Sequence, residues 1–157
     1  MKLEESTIAV TGGASGMGRY FSLQLAQAGT NVAACDMNEE GLNSLVAESA
    51  DLPGTIRGYV TNVASEESVI SFFDQAWADF GGLTGLVNNA GIFRDGLLVK
   101  KDRESGRIKK MSLKNWQMVI DVDLTGPFLC AREFAERHIE NGNKHGVIVN
   151  ISSIARY

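Results

Sequence analysis

Thr11-Gly12-Gly13-Ala14-Ser15-Gly16-Met17-Gly18 sets glycines at 12, 16 and 18 between a β-branched run and a helical pattern. A turn of that kind lets a bulky anion approach the backbone, and the N–H groups opening the following helix stabilise its charge. The first gap holds three residues where that of G-x-G-x-x-G holds one. The competing explanation is a helix that needs tight packing on a sheet. Asp36 closes the next β-branched run, 18 residues after Gly18. A carboxylate there can accept both hydroxyls of an adenosine ribose, or it can cap a turn. It would repel a 2′-phosphate by roughly 4 kcal/mol at about 4 Å and an effective dielectric near 20, before screening. Met37, Asn38, Glu39 and Glu40 supply no offsetting cation. These residues point to a dinucleotide site that favours NAD(H), with NADP(H) as the second option.

Such a turn works only if strands and helices hold it. Short apolar runs at 7–11, 31–35, 55–61, 84–88 and 146–152 read as buried strands. Helical patterns fill the gaps. The first, 16–28, spaces Met17, Phe21, Leu25 and Ala28 along one face and closes at Gly29. The second, about 39–49, stripes Leu42, Leu45 and Val46. In the third, Ser65 caps a segment that buries Val69, Phe73, Ala76 and Phe80, with Glu66 and Glu67 at its positive end. A long helix runs from Ser112 to about Glu140. Alternation of this kind predicts an α/β fold: a Rossmann-like, doubly wound parallel sheet of five strands with helices on both faces. Residues 1–157 read as one nucleotide-binding domain.

Composition narrows the function classes. The chain has 157 residues, 44% apolar and 22% charged, with a formal net charge of −4. That balance argues against nucleic acid or an anionic membrane as a partner. No apolar run approaches the roughly 18 residues that span a bilayer, and the polar start is unlike a secretion signal. Cys35 and Cys130 are too few and too far apart for a disulfide framework, and no metal-ligand spacing appears. A cytoplasmic protein with reduced thiols is expected. His138 and His145 read as surface or capping residues, Trp77 and Trp116 as core, and Cys35 as packed within its strand.

The motifs together resemble the short-chain dehydrogenase/reductase family over essentially the whole chain. Its Thr-Gly-x-x-x-Gly-x-Gly matches Thr11 to Gly18 at every fixed position, and its Asn-Asn-Ala-Gly is Asn88-Asn89-Ala90-Gly91. Asn62-Val63 is similar to the family's adenine-contacting pair, and Ile151-Ser152-Ser153 to its fifth-strand serine segment. The resemblance implies hydride transfer between a nicotinamide and a carbonyl or secondary alcohol. It implies cofactor contacts from Gly12, Ser15, Gly16, Met17, Gly18, Asp36, Asn62, Val63, Asn89, Ala90 and Gly91. One of Asn88 and Asn89 is expected to tie strands together instead.

For the catalytic half, Ser153 matches the family's serine, which polarises the substrate oxygen, and Ser152 should point the other way into structure. Val122-Asp123-Leu124-Thr125-Gly126 puts Asp where the family has Asn, whose backbone carbonyl holds a relay water. Pro127 has no N–H to offer the Asp123 carbonyl, which predicts a freed carbonyl and a kinked helix, or a bend that serves packing alone. The family's Tyr-x-x-x-Lys should follow Ser153 by a dozen or so residues. The sequence stops at Tyr157, so this chain is expected to be inactive and to lack a C-terminal part.

Arg94-Asp95-Gly96-Leu97-Leu98 is similar to the 3-oxoacyl-[acyl-carrier-protein] reductases within the family, although Asp36 departs from their usual NADPH. The expected substrate is therefore a small or carrier-bound acyl group. A dehydrogenase for another secondary alcohol is the alternative, as is a non-catalytic nucleotide-binding module. Loop 94–111 holds seven basic and three acidic residues. Leu97-Leu98-Val99 and Arg107-Ile108-Lys109 could pair there as a hairpin that attracts an acidic carrier or coenzyme A phosphates; a solvated insertion is equally consistent. Family members commonly pair through the long helix, so residues 113–140 are the expected interface of a homodimer or homotetramer.

Overall fold

The computed structural model describes residues 2–94, 96–143 and 145–152. Five strands form one parallel sheet: β1 (Thr7–Thr11), β2 (Asn31–Asp36), β3 (Ile56–Val60), β4 (Gly85–Asn88) and β7 (Val147–Asn150), in the order β3-β2-β1-β4-β7. Between β4 and β7 a separate antiparallel hairpin, β5 (Val99–Lys101) and β6 (Ile108–Lys110), stands outside the sheet. The sheet's helices are α1 (Gly16–Gln27), α2 (Glu39–Glu48), α3 (Glu66–Phe80), α4 (Leu113–Ile120) and α5 (Gly126–Glu140). This is the doubly wound α/β architecture that the alternation predicts.

Strand alternation sends successive side chains to opposite faces, and the core divides accordingly. Ile8, Val10, Val32, Ala34 and Ile56 pack under α1 and α2 with Ala26, Leu42 and Leu45. Ala9, Ala33, Cys35 and Tyr59 pack on the other face beneath α3 and α5, against Phe72, Phe73, Leu129 and Phe134. Phe72 is a core residue that the expected stripe on α3 omits.

Four expectations about packing need correction. Helix α1 buries Gly18, Ser22 and Ala26, rather than a stripe of Met17, Phe21, Leu25 and Ala28. Small residues let this helix lie against the sheet, Leu23 and Leu25 pack only partly buried at its margin, and Met17 is 59% exposed. Trp116 is 55% exposed, because α4 presents that side to solvent. His138 is buried: its Nε2–H donates to the His145 carbonyl at 2.8 Å, and its ring stacks on Phe134 with centroids 5.0 Å apart. It ties the end of α5 to the approach to β7. Ser152 is exposed rather than packed into structure, since among the described residues no element covers that side of β7.

The long helix is interrupted as the proline predicts. Asp121–Thr125 forms a π-helical segment in which Gly126 N–H reaches back to the Asp121 carbonyl. Pro127 withholds the N–H that would bond Asp123, so the turn slips to the wider spacing. Beyond it, Glu133 is buried between Arg132 and Arg137, with Arg137 Nη1 2.7 Å from its Oε2. The two arginines continue to Glu66 and Asp74 on α3, at 2.5 and 2.6 Å. Burial pushes the Glu133 carboxyl up, but its hydrogen bonds and charge interactions with Arg137 and Arg132 outweigh that and leave it below the usual range.

Candidate nucleotide-binding site

A cavity of about 460 Å³ opens at the carboxyl ends of β1, β2, β3 and β4. Parallel α/β sheets bind ligands at such ends, where connections leave in opposite directions. Gly12, Ser15, Met17, Asp36, Asn62, Val63, Asn89, Ala90 and Gly91 all line it. Of the expected contacts, Gly16 and Gly18 are outside the lining, and their positions explain why. A Cβ on Gly18 would overlap the Gly12 carbonyl oxygen and stand 2.6 Å from Asn89 Nδ2. Gly18 is therefore the point where α1 meets the turn beneath the cavity floor. Gly16 has φ +53°, with open space where a side chain would start.

Thr11 is the pin of the site. Its buried hydroxyl accepts the N–H groups of Asn89 and Ala90 at 3.0 and 2.9 Å. Asn89 Nδ2 donates back to the Thr11 carbonyl at 3.0 Å. Asn88 Nδ2 donates to Asn150 Oδ1 at 2.8 Å. Both asparagines thus hold strands together, where only one was expected to. Asn89 Oδ1 is buried without a partner.

Asp36 holds the two turns beside it. Its Oδ2 accepts Ala14 N–H at 3.1 Å and its Oδ1 accepts Asn38 N–H at 3.0 Å. A carboxylate has about four acceptor positions, so two remain for a ligand. Turn-capping and ligand-binding are compatible here. Asn62 Oδ1 accepts Ala64 N–H at 3.0 Å, which fixes the turn that brings Val63 to the cavity.

The Asp123 side chain lies outside the lining but shapes it: its Oδ1 accepts Ile92 N–H at 2.8 Å, just after Gly91. Ile92, Val122, Thr61, Cys35 and Met37 also line the cavity and were not among the contacts expected from the sequence. Each neighbours a motif residue, and adjacency was their only signal. Ser153 lies outside the described residues. Burial pushes the Cys130 thiol up to about 12, and that of Cys35 well above its ordinary value, so both are inert packing groups.

The residues present fit a dinucleotide. The N-cap Ser15 makes no side-chain bond to the first turn of α1, so that turn's N–H groups have no side-chain acceptor. The open Gly16 turn and the unpartnered Asn89 Oδ1 lie beside it.

Residues 6–156 match the family described as short chain dehydrogenase. The chain belongs to that family, whose members generally use NAD(P) cofactors. It is 38% identical over 154 residues to a 3-oxoacyl-[acyl-carrier-protein] reductase of Thermotoga maritima, covering 98% of this chain and 58% of the relative. It is 38% identical over 153 residues to a 2,5-dichloro-2,5-cyclohexadiene-1,4-diol dehydrogenase of Sphingobium indicum, covering 98% and 56%. A (2S)-[(R)-hydroxy(phenyl)methyl]succinyl-CoA dehydrogenase subunit of Thauera aromatica is 33% identical over 155 residues, covering 99% and 58%. The chain thus spans little more than half the length of the curated relatives it matches. Among the described residues no helix is long and apolar enough to cross a membrane, and no cluster of side chains suits a metal ion.

Proposed function

We propose that the protein carrying this chain is an NAD(H)-dependent oxidoreductase that reduces the carbonyl of a 3-oxoacyl thioester, and that residues 1–157 are its nucleotide-binding domain. The cavity at the strand ends, lined by the glycine turn, Asp36 and Asn89-Ala90-Gly91, carries this reading. A bound nicotinamide would supply hydride to the carbonyl carbon. The chain's own residues bind and orient. The opening of α1, Ser15 and the Gly12–Gly18 turn hold the pyrophosphate through backbone N–H groups. The free acceptor positions of Asp36 take the ribose hydroxyls, and Asn62 and Val63 border the adenine. Ser153 polarises the substrate oxygen, and the Asp123 carbonyl, denied its helical donor by Pro127, holds a water for proton relay.

Asp36 supports NAD(H) over NADP(H) by charge. Arg19, the cation packed between α1 and α2, is committed to Glu48 at 2.5 Å and to the Gly41 carbonyl at 3.1 Å. The similarity to the Thermotoga and Thauera proteins supports a thioester substrate. Similarity to the Sphingobium diol dehydrogenase favours the second reading, oxidation of another secondary alcohol.

Exposed Leu113, Trp116, Leu124, Phe128 and Ile139 along α4 and α5 support pairing of two copies through residues 113–140. The two free, buried cysteines support a cytoplasmic setting.

Titration of the full-length protein with NADH and NADPH tests the core of this reading. NADH should bind at least about tenfold more tightly, a difference near 1.4 kcal/mol. Equal affinities would remove the role given to Asp36, and absence of binding by either would overturn the function.

A further inference from the structure

The β5–β6 hairpin carries charge that the fold itself does not use. At its base a cavity of about 250 Å³ is lined by Arg94, Lys100, Lys109, Lys110, Met111 and Asn115, among others. Lys109 is paired with Asp102 at 2.5 Å. Among the described residues no carboxylate comes within ion-pair distance of Arg94, Lys100 or Lys110. Three cations with no carboxylate partner among the described residues therefore line one concave space, Arg94 donating only to the Phe93 carbonyl at 3.5 Å. The start of α4 lies at its edge, where Ser112 Oγ accepts Asn115 N–H at 3.1 Å.

Strand pairing makes the arrangement costly. Lys100 stands directly opposite Lys109 in the register, and like charges facing across an antiparallel pair are destabilising. A chain with net charge −4 nevertheless gathers seven basic residues in positions 94–111. An anion in the cavity would offset that repulsion. A singly charged carboxylate needs one cation; three around one cavity suit a group with two or more negative charges.

The position of the cavity says where that group would sit on a substrate. Ile92 lines the nucleotide cavity and Arg94 lines this one. Two residues span at most about 7 Å of chain, so the two cavities are near neighbours. Leu97 and Met111 add apolar surface to the second cavity, suited to an aliphatic arm.

We propose that Arg94, Lys100 and Lys110 hold a phosphate of the substrate, which is accordingly a phosphate-bearing acyl thioester whose carbonyl end lies at the nucleotide crevice. The proposal rests on the hydride-transfer reading and deepens it. A coenzyme A thioester carries groups of that charge in its diphosphate and its 3′-phosphate, a carrier-protein thioester carries a singly charged phosphodiester, and a thioester of N-acetylcysteamine carries none.

The test is steady-state reduction by the full-length protein with saturating NADH, comparing the acetoacetyl thioesters of coenzyme A, carrier protein and N-acetylcysteamine. KM for at least one phosphate-bearing thioester should be about tenfold or more below that for N-acetylcysteamine, equivalent to about 1.4 kcal/mol. Whichever of the two gains identifies the source of the phosphate. Lys100→Gln with Lys110→Gln should raise that KM about tenfold, leave kcat unchanged and leave the N-acetylcysteamine ester unaffected. Lys101→Gln with Arg103→Gln changes the same hairpin outside this cavity and should shift KM less than about twofold. A thermal melt matching wild type shows that each variant is folded.

Equal KM for all three esters would overturn the proposal. So would an equal effect of the two double variants, which would mean a diffuse field instead of a site. Tight NADH binding without reduction of any thioester would overturn it while leaving the nucleotide site standing, whereas loss of NADH binding would overturn the parent reading.

Discussion

The β1–α1 turn and the β5–β6 hairpin both put positive potential beside the same crevice, by opposite means. The turn does it with backbone N–H groups held in a buried frame. Thr11 is 2% exposed, and Gly18 is packed so closely under Gly12 that no methyl group fits. The hairpin does it with lysines and arginines whose strand residues are all exposed. Backbone dipoles must be fixed by packing to act, whereas side-chain charges act from solvent and are screened by salt. One region should therefore fail as structure when altered, and the other only as recognition.

The sharpest test of that contrast is Gly18→Ala. Overpacking against backbone costs about 1–3 kcal/mol, and here the displaced atoms are the Gly12 carbonyl and Asn89. Urea unfolding should show that loss, and NADH titration a drop in affinity of tenfold or more. A variant with wild-type stability would mean that the turn is as pliable as the hairpin.

Thr11→Val should cost about 1–3 kcal/mol, the range for leaving buried donors unpaired, because Asn89 and Ala90 lose their shared acceptor. Denaturant midpoints measure it.

Asp36→Ala should be milder for stability and act on selectivity. Removing the charge should narrow the ratio of NADPH to NADH dissociation constants by about tenfold, as given by fluorescence titration. The effect should shrink with added salt.

The smallest effect is expected at the hairpin. Lys109→Ala should leave the unfolding midpoint of the whole protein unchanged, since exposed ion pairs contribute little. Hydrogen bonds from Lys109 and Ser105 hold the Asp102 carboxyl down to about 2. A depressed carboxylate adds stability above its unfolded value, about 3.9, and loses it as pH falls through the folded one. Local opening of β5–β6 below pH 4, completed around pH 2, should be visible in amide NMR signals while the sheet persists.

Some of this was legible in the residues. The strands of the sheet were placed within a residue or two, most directly β1, β2 and β4, because a parallel strand covered on both faces must be largely apolar. The interruption of the long helix at Asp121–Thr125 followed from Pro127, since a missing N–H is a covalent fact. Helix orientation was less legible. On α1 the large apolar residues suggested one face, and the small ones turned out to form the contact. Periodicity ranks residues by hydrophobicity, but close approach to a sheet selects by size. His138 was misjudged for a related reason: its partner is the carbonyl of His145, and backbone acceptors leave no mark in sequence.

The residue types alone determined the family, the doubly wound sheet and nine of the fourteen residues that line the cavity, because backbone-driven features such as glycine turns and strand ends are local. Only the tertiary structure decided which glycine faces the cavity and which lies beneath it. It alone showed that Asp36 caps two turns with acceptor positions to spare, and that Arg94, Lys100 and Lys110 line one space. Those are relations between segments far apart in the chain or folded back on themselves, and they exist only once packing has set the distances.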